Sequence, residues 1–299
     1  MKGYNLVVLA AGMGSRFGGI KQLASVDENN QVLLEYSVYD AFKTGCDKVI
    51  FIIRKDIEDE FKRVVFDKIS KKVNAVYVFQ EKDTLVPDSL KPLANARKKP
   101  YGTVQAILSA KDEINNNFVV INADDFYSRS SYEILQRHFE KSDSNAIVVY
   151  PLEPTLSALG TVNRGICRYS DKGKLEKIEE TYNIKKEGNR IFGQDKNGKS
   201  IELKASDNAS MNFFGFNKSI LKLLSDYWKN FVSTIKDDNS QECLLPIFCN
   251  EKLINKEIEF SSYTSTGKWL GMTYKEDVDK IKVEIKNLIK SGVYPERLY

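Results

Sequence analysis

The chain has 299 residues, of which 45 are basic and 41 acidic, giving a net charge of +4. That length can bury a substantial core, as one large α/β domain or two smaller ones. So mild a balance makes no case for nucleic acid, whose readers gather basic charge on one face. No apolar run approaches the length of a membrane span, and the first residues lack the basic region, apolar core and cleavage site of a secretion signal, so a cytoplasmic protein is expected. Cys46, Cys167, Cys243 and Cys249 are scattered in a way that fits neither a zinc pair nor a redox pair. The one histidine, His138, lies in the helical pattern SSYEILQRHFEK, where a surface or packed role is expected.

In chain order, YNLVVLAAGMGSRFGGIKQL comes first. Residues 4–10 are almost wholly apolar and too few for a core helix, so they read as a buried strand. Gly12, Gly14, Gly18 and Gly19 follow, and a glycine-rich loop lets amide groups approach a bound group and form an anion-binding concavity. Arg16 adds a planar guanidinium suited to two phosphate oxygens, and Lys21 a compact movable charge. A helix is expected over 34–44, with Gly45 as its stop. Strand 48–53 comes next, then helical spacing of Ile57, Phe61, Val64 and Val65, then strand 76–79 ending at Gln80. Alternation of this kind implies a mainly parallel sheet, whose ligands sit beyond the carboxyl ends of its strands.

Gln80 stands at such an end, with an amide able to pair with the imide edge of uracil or thymine or, if flipped, with another base. Residues 81–100 lack periodicity and close on Arg97, Lys98 and Lys99, which reads as a functional lid or a disordered loop. Tyr101, Gly102 and Thr103 open the next helix, and a glycine at a helix mouth lets a flat ligand lie against backbone. Strand 118–121 delivers Asn122, Ala123, Asp124 and Asp125. A carboxylate there suits magnesium, which takes oxygen ligands and shares its substrate's phosphates, while Asp125 could cap the following helix. Past Tyr150, TVNRGICRY and KLEKIEET joined by SDKG, and a second turn DKNGKS, signal hairpins and an antiparallel layer. A last helix over 275–290 is expected to pack back on the sheet.

LAAGMGSRFGGIKQL resembles the L-A-A-G-x-G-x-R signature, followed shortly by lysine, of the sugar-1-phosphate nucleotidyltransferases. The resemblance implies a Rossmann-like, mainly parallel but mixed sheet flanked by helices, of the nucleotide-diphospho-sugar transferase type, with an added antiparallel layer in the second half. It implies one domain over 1–299, with 1–150 taking the nucleotide and 151–299 the sugar phosphate. Leu9, Ala10, Ala11, Gly12, Met13 and Gly14 would wrap the triphosphate, and Arg16 and Lys21 would stabilise charge as a sugar phosphate attacks the α-phosphorus. KPYGTVQAI resembles the family's P-x-G-T-x-x-A segment, giving Gly102 and Thr103 for the nucleotide, with Gln80 touching the base and Asn122 also assigned to the nucleotide. NADD aligns with the family's G-D, making Asp124 the Mg2+ ligand.

In the second half, LGTVNRG resembles the strand whose glycine contacts the sugar, giving Gly160. KIEET resembles V-E-K-P, giving Glu179 for sugar hydroxyls, with Glu180 in place of the phosphate-binding lysine and Lys177 a candidate replacement. ASMNFFGF gives Asn212. STGKWLGMTYKED resembles W-x-D-x-G-T-x-E-D, with Gly271 where the second metal aspartate is usual. The implied activity couples an NTP, UTP favoured, to a sugar 1-phosphate and releases pyrophosphate, with no nucleic acid or membrane partner and homo-oligomerisation left open. Cytidylyl transfer to an amino-alcohol or polyol phosphate, a catalytically silent binding relative, and a dinucleotide-binding oxidoreductase remain as alternatives.

Overall fold

A computed structural model of the chain describes residues 3–12, 23–157, 160–236, 240–272 and 276–299. Strand β1 (Tyr4–Leu9) lies between β2 (Cys46–Ile53) and β4 (Phe118–Asn122), and β3 (Ala75–Phe79) borders β2, all parallel. Such strands are covered on both faces, which is why they read as unbroken apolar runs. Side chains alternate across β1: Tyr4, Leu6 and Val8 pack with Leu34, Val38 and Phe139 on one side, and Val7 with Val104, Ile107 and Phe248 on the other. The expected helix after Arg54 is a composite of 3-10, α and π turns over 55–69, in which Phe61, Val65 and Ile69 keep their core-facing spacing.

The second half adds strands of the other sense. After β5 (Asp125–Phe126) come β6 (Asn145–Pro151), β7 (Val162–Tyr169), β8 (Leu175–Glu187), β9 (Arg190–Gln194), β10 (Ser200–Leu203), β11 (Asn208–Phe216), β12 (Phe260–Thr264) and β13 (Leu270–Gly271). Both predicted turns connect antiparallel neighbours, β7 to β8 and β9 to β10, with Gly173 and Gly198 at positive φ inside them. Strand β11 joins the two parts: Phe214 to Phe216 lie antiparallel to β4, whereas Ala209 and Ser210 pair with β7.

Two expectations need correction. The final helix, Asp277–Lys290, packs Ile281 and Ile285 on Leu33, Tyr36 and Phe126, covering the first helix (Leu33–Lys43) and β5 rather than the main sheet. The segment 81–100 is tied down rather than lid-like: it holds the helix Lys91–Ala96, and Arg97 is buried with its guanidinium 4.0 Å from the Tyr101 ring centre and Nη2 donating to Gln241 O. His138 is packed between Tyr263 Oη and Ser144 O, and all four cysteines are free and buried. Among the described residues, no helix is long and apolar enough to cross a membrane.

Candidate active site

The carboxyl ends of β1 and β4 meet in register, with Leu9 beside Asn122 and the Leu9 carbonyl accepting the Ala123 amide. Ala10 N donates to Ile52 O, which fixes the strand end before the glycine loop begins. Ala11 O and Gly12 O both accept from Arg54 Nη1, at 2.9 and 3.2 Å, and Asp56 holds that guanidinium from its far side. Arg54 was not singled out by its motif, yet it stands one residue past β2, a place where functional side chains are expected. Met13, Gly14, Arg16 and Lys21 lie outside the described residues.

Gln80 and Gly102 form one unit. Gln80 is buried, and its Nε2 donates to Gly102 O at 2.9 Å and to Gln105 Oε1 at 3.1 Å, so both amide hydrogens are spent inside the protein. Gly102 has φ +105°, and a Cβ there would meet Cys243 O at 2.9 Å. The flat group lying against this glycine is therefore the chain's own segment at Cys243 and Leu244. Thr103 lines the adjoining cleft while its Oγ1 accepts the Leu245 amide at the start of the helix Leu245–Ile254.

That cleft, about 500 Å³ in volume, opens where β4, β7, β8 and β11 converge. It gathers Thr103, Asn122, Asp124 and Asn212 from among the expected residues. Asn212 sits in the irregular stretch of β11 where the register with β6 breaks between Ser210 and Phe214, and its φ is +61°. Bulges of this kind re-aim a side chain beside a site, and asparagine tolerates the left-handed region better than most residues. Ser210 Oγ, on the same wall, is buried with no hydrogen-bond partner among the described residues.

Two residues expected to contact the sugar, Glu179 and Gly160, do not line this cleft. Glu179 points away from the cleft, with Lys177 Nζ 2.6 Å from its Oε1 and Arg168 Nε 3.3 Å from its Oε2. Side chains alternate along a strand, so the cleft belongs to the next residue, Glu180. Its partner across the β7–β8 ladder is Gly165, which also lines the cleft, whereas Gly160 does not. A Cβ on Gly165 would sit 2.8 Å from Ile178 Cγ2, so a side chain there would force Ile178 or the strand to move. A glycine inside a strand marks close backbone approach, and Gly165 is such a glycine. With Glu180 as the motif's glutamate, its lysine position falls on Thr181, which is fully buried, and Lys177 is committed to Glu179.

The floor of the cleft is acidic. Asp125 is buried next to Asp124, and its Oδ2 accepts from Asn122 Nδ2 at 2.8 Å and from the Tyr127 hydroxyl at 3.1 Å. Burial, and then the neighbouring Asp124 charge, push the Asp125 carboxyl up to about 7. It does not cap a helix, since the helix Arg129–Lys141 starts after Ser128. Asp125 faces Gly271 directly across the β5–β13 pair, and a Cβ on Gly271 would lie 3.1 Å from Asp125 Oδ1 and only 2.2 Å from Trp269 Cη2. The indole thus fills the room of the usual second aspartate, while a carboxylate oxygen from β5 reaches the same place. Among the described residues no group of three or more histidine, cysteine, aspartate or glutamate side chains could hold a metal. A pair of carboxylates fits a hard divalent ion that completes its shell with water and phosphate oxygens.

The cleft's described cation is Arg164 on β7. Its guanidinium lies 5.1 Å from the Trp269 ring centre, and its three hydrogen bonds go to Thr155 O, Thr155 Oγ1 and Asn163 O. Burial lowers its proton affinity, opposed by the carboxylates of Asp125 and Glu180.

Comparison with known proteins agrees with this architecture. The family model described as nucleotidyl transferase matches residues 5–269. Among solved structures, a UDP-glucose pyrophosphorylase complexed with UDP-glucose has a TM-score of 0.61 at 18% identity, covering 96% of this chain and 99% of that one. A putative glucose-1-phosphate thymidylyltransferase from Bacillus anthracis, in complex with a sucrose, has a TM-score of 0.62 at 14% identity, covering 95% of each chain. The inositol-1-phosphate CTP transferase from T. maritima has a TM-score of 0.59 at 13% identity, covering 96% of this chain and 97% of that one. No curated protein matches the chain.

Proposed function

Because the chain belongs to the nucleotidyl transferase family, whose members are enzymes, we propose that it couples an NTP, UTP first, to a sugar 1-phosphate and releases pyrophosphate. The observation that carries this reading is the cleft uniting Asn122 and Asp124, from the parallel half, with Glu180 and Asn212, from the antiparallel layer. Two substrates brought to one place need this meeting of halves. The reaction asks for positioning and charge stabilisation, not a covalent nucleophile.

In this reading the residues from Leu9 through Gly14 cradle the triphosphate, with Arg54 holding Ala11 and Gly12 in place. An oxygen of the acceptor phosphate attacks the α-phosphorus. The bond from that phosphorus to the bridging oxygen breaks, and pyrophosphate leaves with the electron pair. Arg16 and Lys21 stabilise the charge that develops. Asp124 and Asp125 would hold Mg2+, which when bound neutralises phosphate oxygens. Glu180 and Asn212 take hydroxyl groups of the acceptor. Gln80 acts through the Gly102 backbone that it fixes, so selection of the base rests on main-chain groups.

Likeness to the inositol-1-phosphate CTP transferase supports a second reading, CTP with a polyol phosphate. A matrix of five nucleoside triphosphates against phosphorylated sugars, polyols and amino-alcohols, read as Mg2+-dependent pyrophosphate release, tests both. Turnover with UTP and a sugar 1-phosphate is expected. Release confined to CTP and a polyol phosphate selects the second reading, and no release in any well refutes both.

A further inference from the structure

We propose that Arg164 is the group that grips the phosphate of the acceptor substrate, replacing the lysine that the β8 motif lacks; this rests on the nucleotidyl-transfer reading above. With Glu180 in the cleft, the lysine of the motif would fall on Thr181, and a fully buried threonine supplies no charge. A phosphate monoester brought beside Asp124, Asp125 and Glu180 needs a cation on the acceptor side. Arg164 is the one lysine or arginine among the described residues lining the cleft, and it stands on β7 at the rung next to the Gly165–Glu180 pair.

Its hydrogen bonding is arranged for such a role. A guanidinium has five N–H donors. In Arg164, Nε donates to Thr155 Oγ1 at 3.4 Å, Nη2 to Thr155 O at 2.6 Å and Nη1 to Asn163 O at 2.9 Å. All three acceptors are uncharged oxygens, so the positive charge is oriented but not neutralised by a direct partner, and one N–H on each terminal nitrogen is left over. The Trp269 ring, 5.1 Å from the guanidinium carbon, fixes the plane of the group. A part-buried cation without a paired anion is costly to keep. The two remaining N–H groups of a planar guanidinium suit the oxygens of a phosphate.

The test uses the full chain with UTP, Mg2+ and glucose 1-phosphate, or whichever acceptor gives pyrophosphate in the matrix above. For Arg164→Gln, the acceptor KM should rise roughly ten- to a hundredfold while the KM for the NTP stays within about twofold. Arg164→Lys should fall between wild type and Arg164→Gln, because an ammonium keeps the charge but not the fork. Added methylguanidinium should restore acceptor saturation to Arg164→Ala, which a purely structural role would not allow. An active wild type with Arg164→Gln unchanged in acceptor KM overturns this inference alone. So does a variant in which both KM values and the melting temperature shift together without rescue. A wild type that releases no pyrophosphate from any pair refutes the proposed function, and this inference falls with it.

Discussion

Gly271→Asp would restore the aspartate usual in the family's C-terminal motif, and the packing around β13 says that it will not work. A Cβ at this position lies 2.2 Å from Trp269 Cη2, 2.4 Å from Cζ2 and 3.1 Å from Asp125 Oδ1. Carbon atoms in contact prefer about 3.5–4.0 Å, so ring or strand has to shift by more than roughly 1 Å. The indole is not free to swing, since the Arg164 guanidinium covers its face. Overpacking of this kind costs about 1–3 kcal/mol. An unfolding entropy of about 2.1 cal/mol/K per residue gives roughly 0.6 kcal/mol/K over 299 residues, so the melting temperature should fall by about 2–5 °C. Calorimetry on Gly271→Ala and Gly271→Asp checks the steric part. Mn2+ binding in the presence of UTP, followed by electron paramagnetic resonance, checks the chemical part. Both variants should melt lower, Gly271→Asp should gain no metal affinity, and a Trp269→Ala background should remove the penalty. Gly271→Asp melting at the wild-type temperature with tighter Mn2+ binding would refute the reasoning.

Three further outcomes are expected. Lys21→Ala should lower turnover on the order of a hundredfold, the loss of about 3 kcal/mol of charge stabilisation, and nearly unchanged kcat would contradict the assigned chemistry. At Asn212, whose φ is +61°, replacement by Ala should cost about 1–2 kcal/mol in urea unfolding while Gly costs less, yet both should weaken acceptor binding; equal stability of the two would contradict the strained-backbone account. Burial raises Asp40 from 3.8 to about 6 although Tyr294 and Arg129 bond its carboxylate. The folded state therefore binds this proton more tightly than the unfolded chain, and the group's contribution to stability, about 3 kcal/mol, is present below about pH 4 and lost as pH rises through about 6. Asp40→Asn should remove that dependence, and urea titrations of the two proteins showing the same slope from pH 4 to pH 7 would count against it.

Much of the fold was legible because it rests on local patterns: apolar runs for β1, β2 and β4, and turn chemistry at SDKG and DKNGKS. Asn122 and Asp124 could be placed because strand ends are where ligands bind in open sheets. What escaped depends on register and on distant contacts. Glu179 and Glu180 are neighbours in sequence but lie on opposite faces of β8, and only the ladder with Gly165 decides which one faces the cleft. Gln80 reads as a contact to the base, and both hydrogens of its amide go to Gly102 and Gln105, a pairing that depends on distant contacts. Arg164 lies within LGTVNRG but was not singled out there; its surroundings come from Trp269, distant in sequence, and from Thr155, nearby.

Strand β11 has a mechanical consequence. Its two ends belong to different parts of the sheet, one beside β4 and the other beside β7, and the bend between them carries Asn212. The walls of the cleft thus share one continuous stretch of backbone. A shared strand of this kind is expected to hold the two walls together, so small-angle scattering should return the same radius of gyration before and after nucleotide is added.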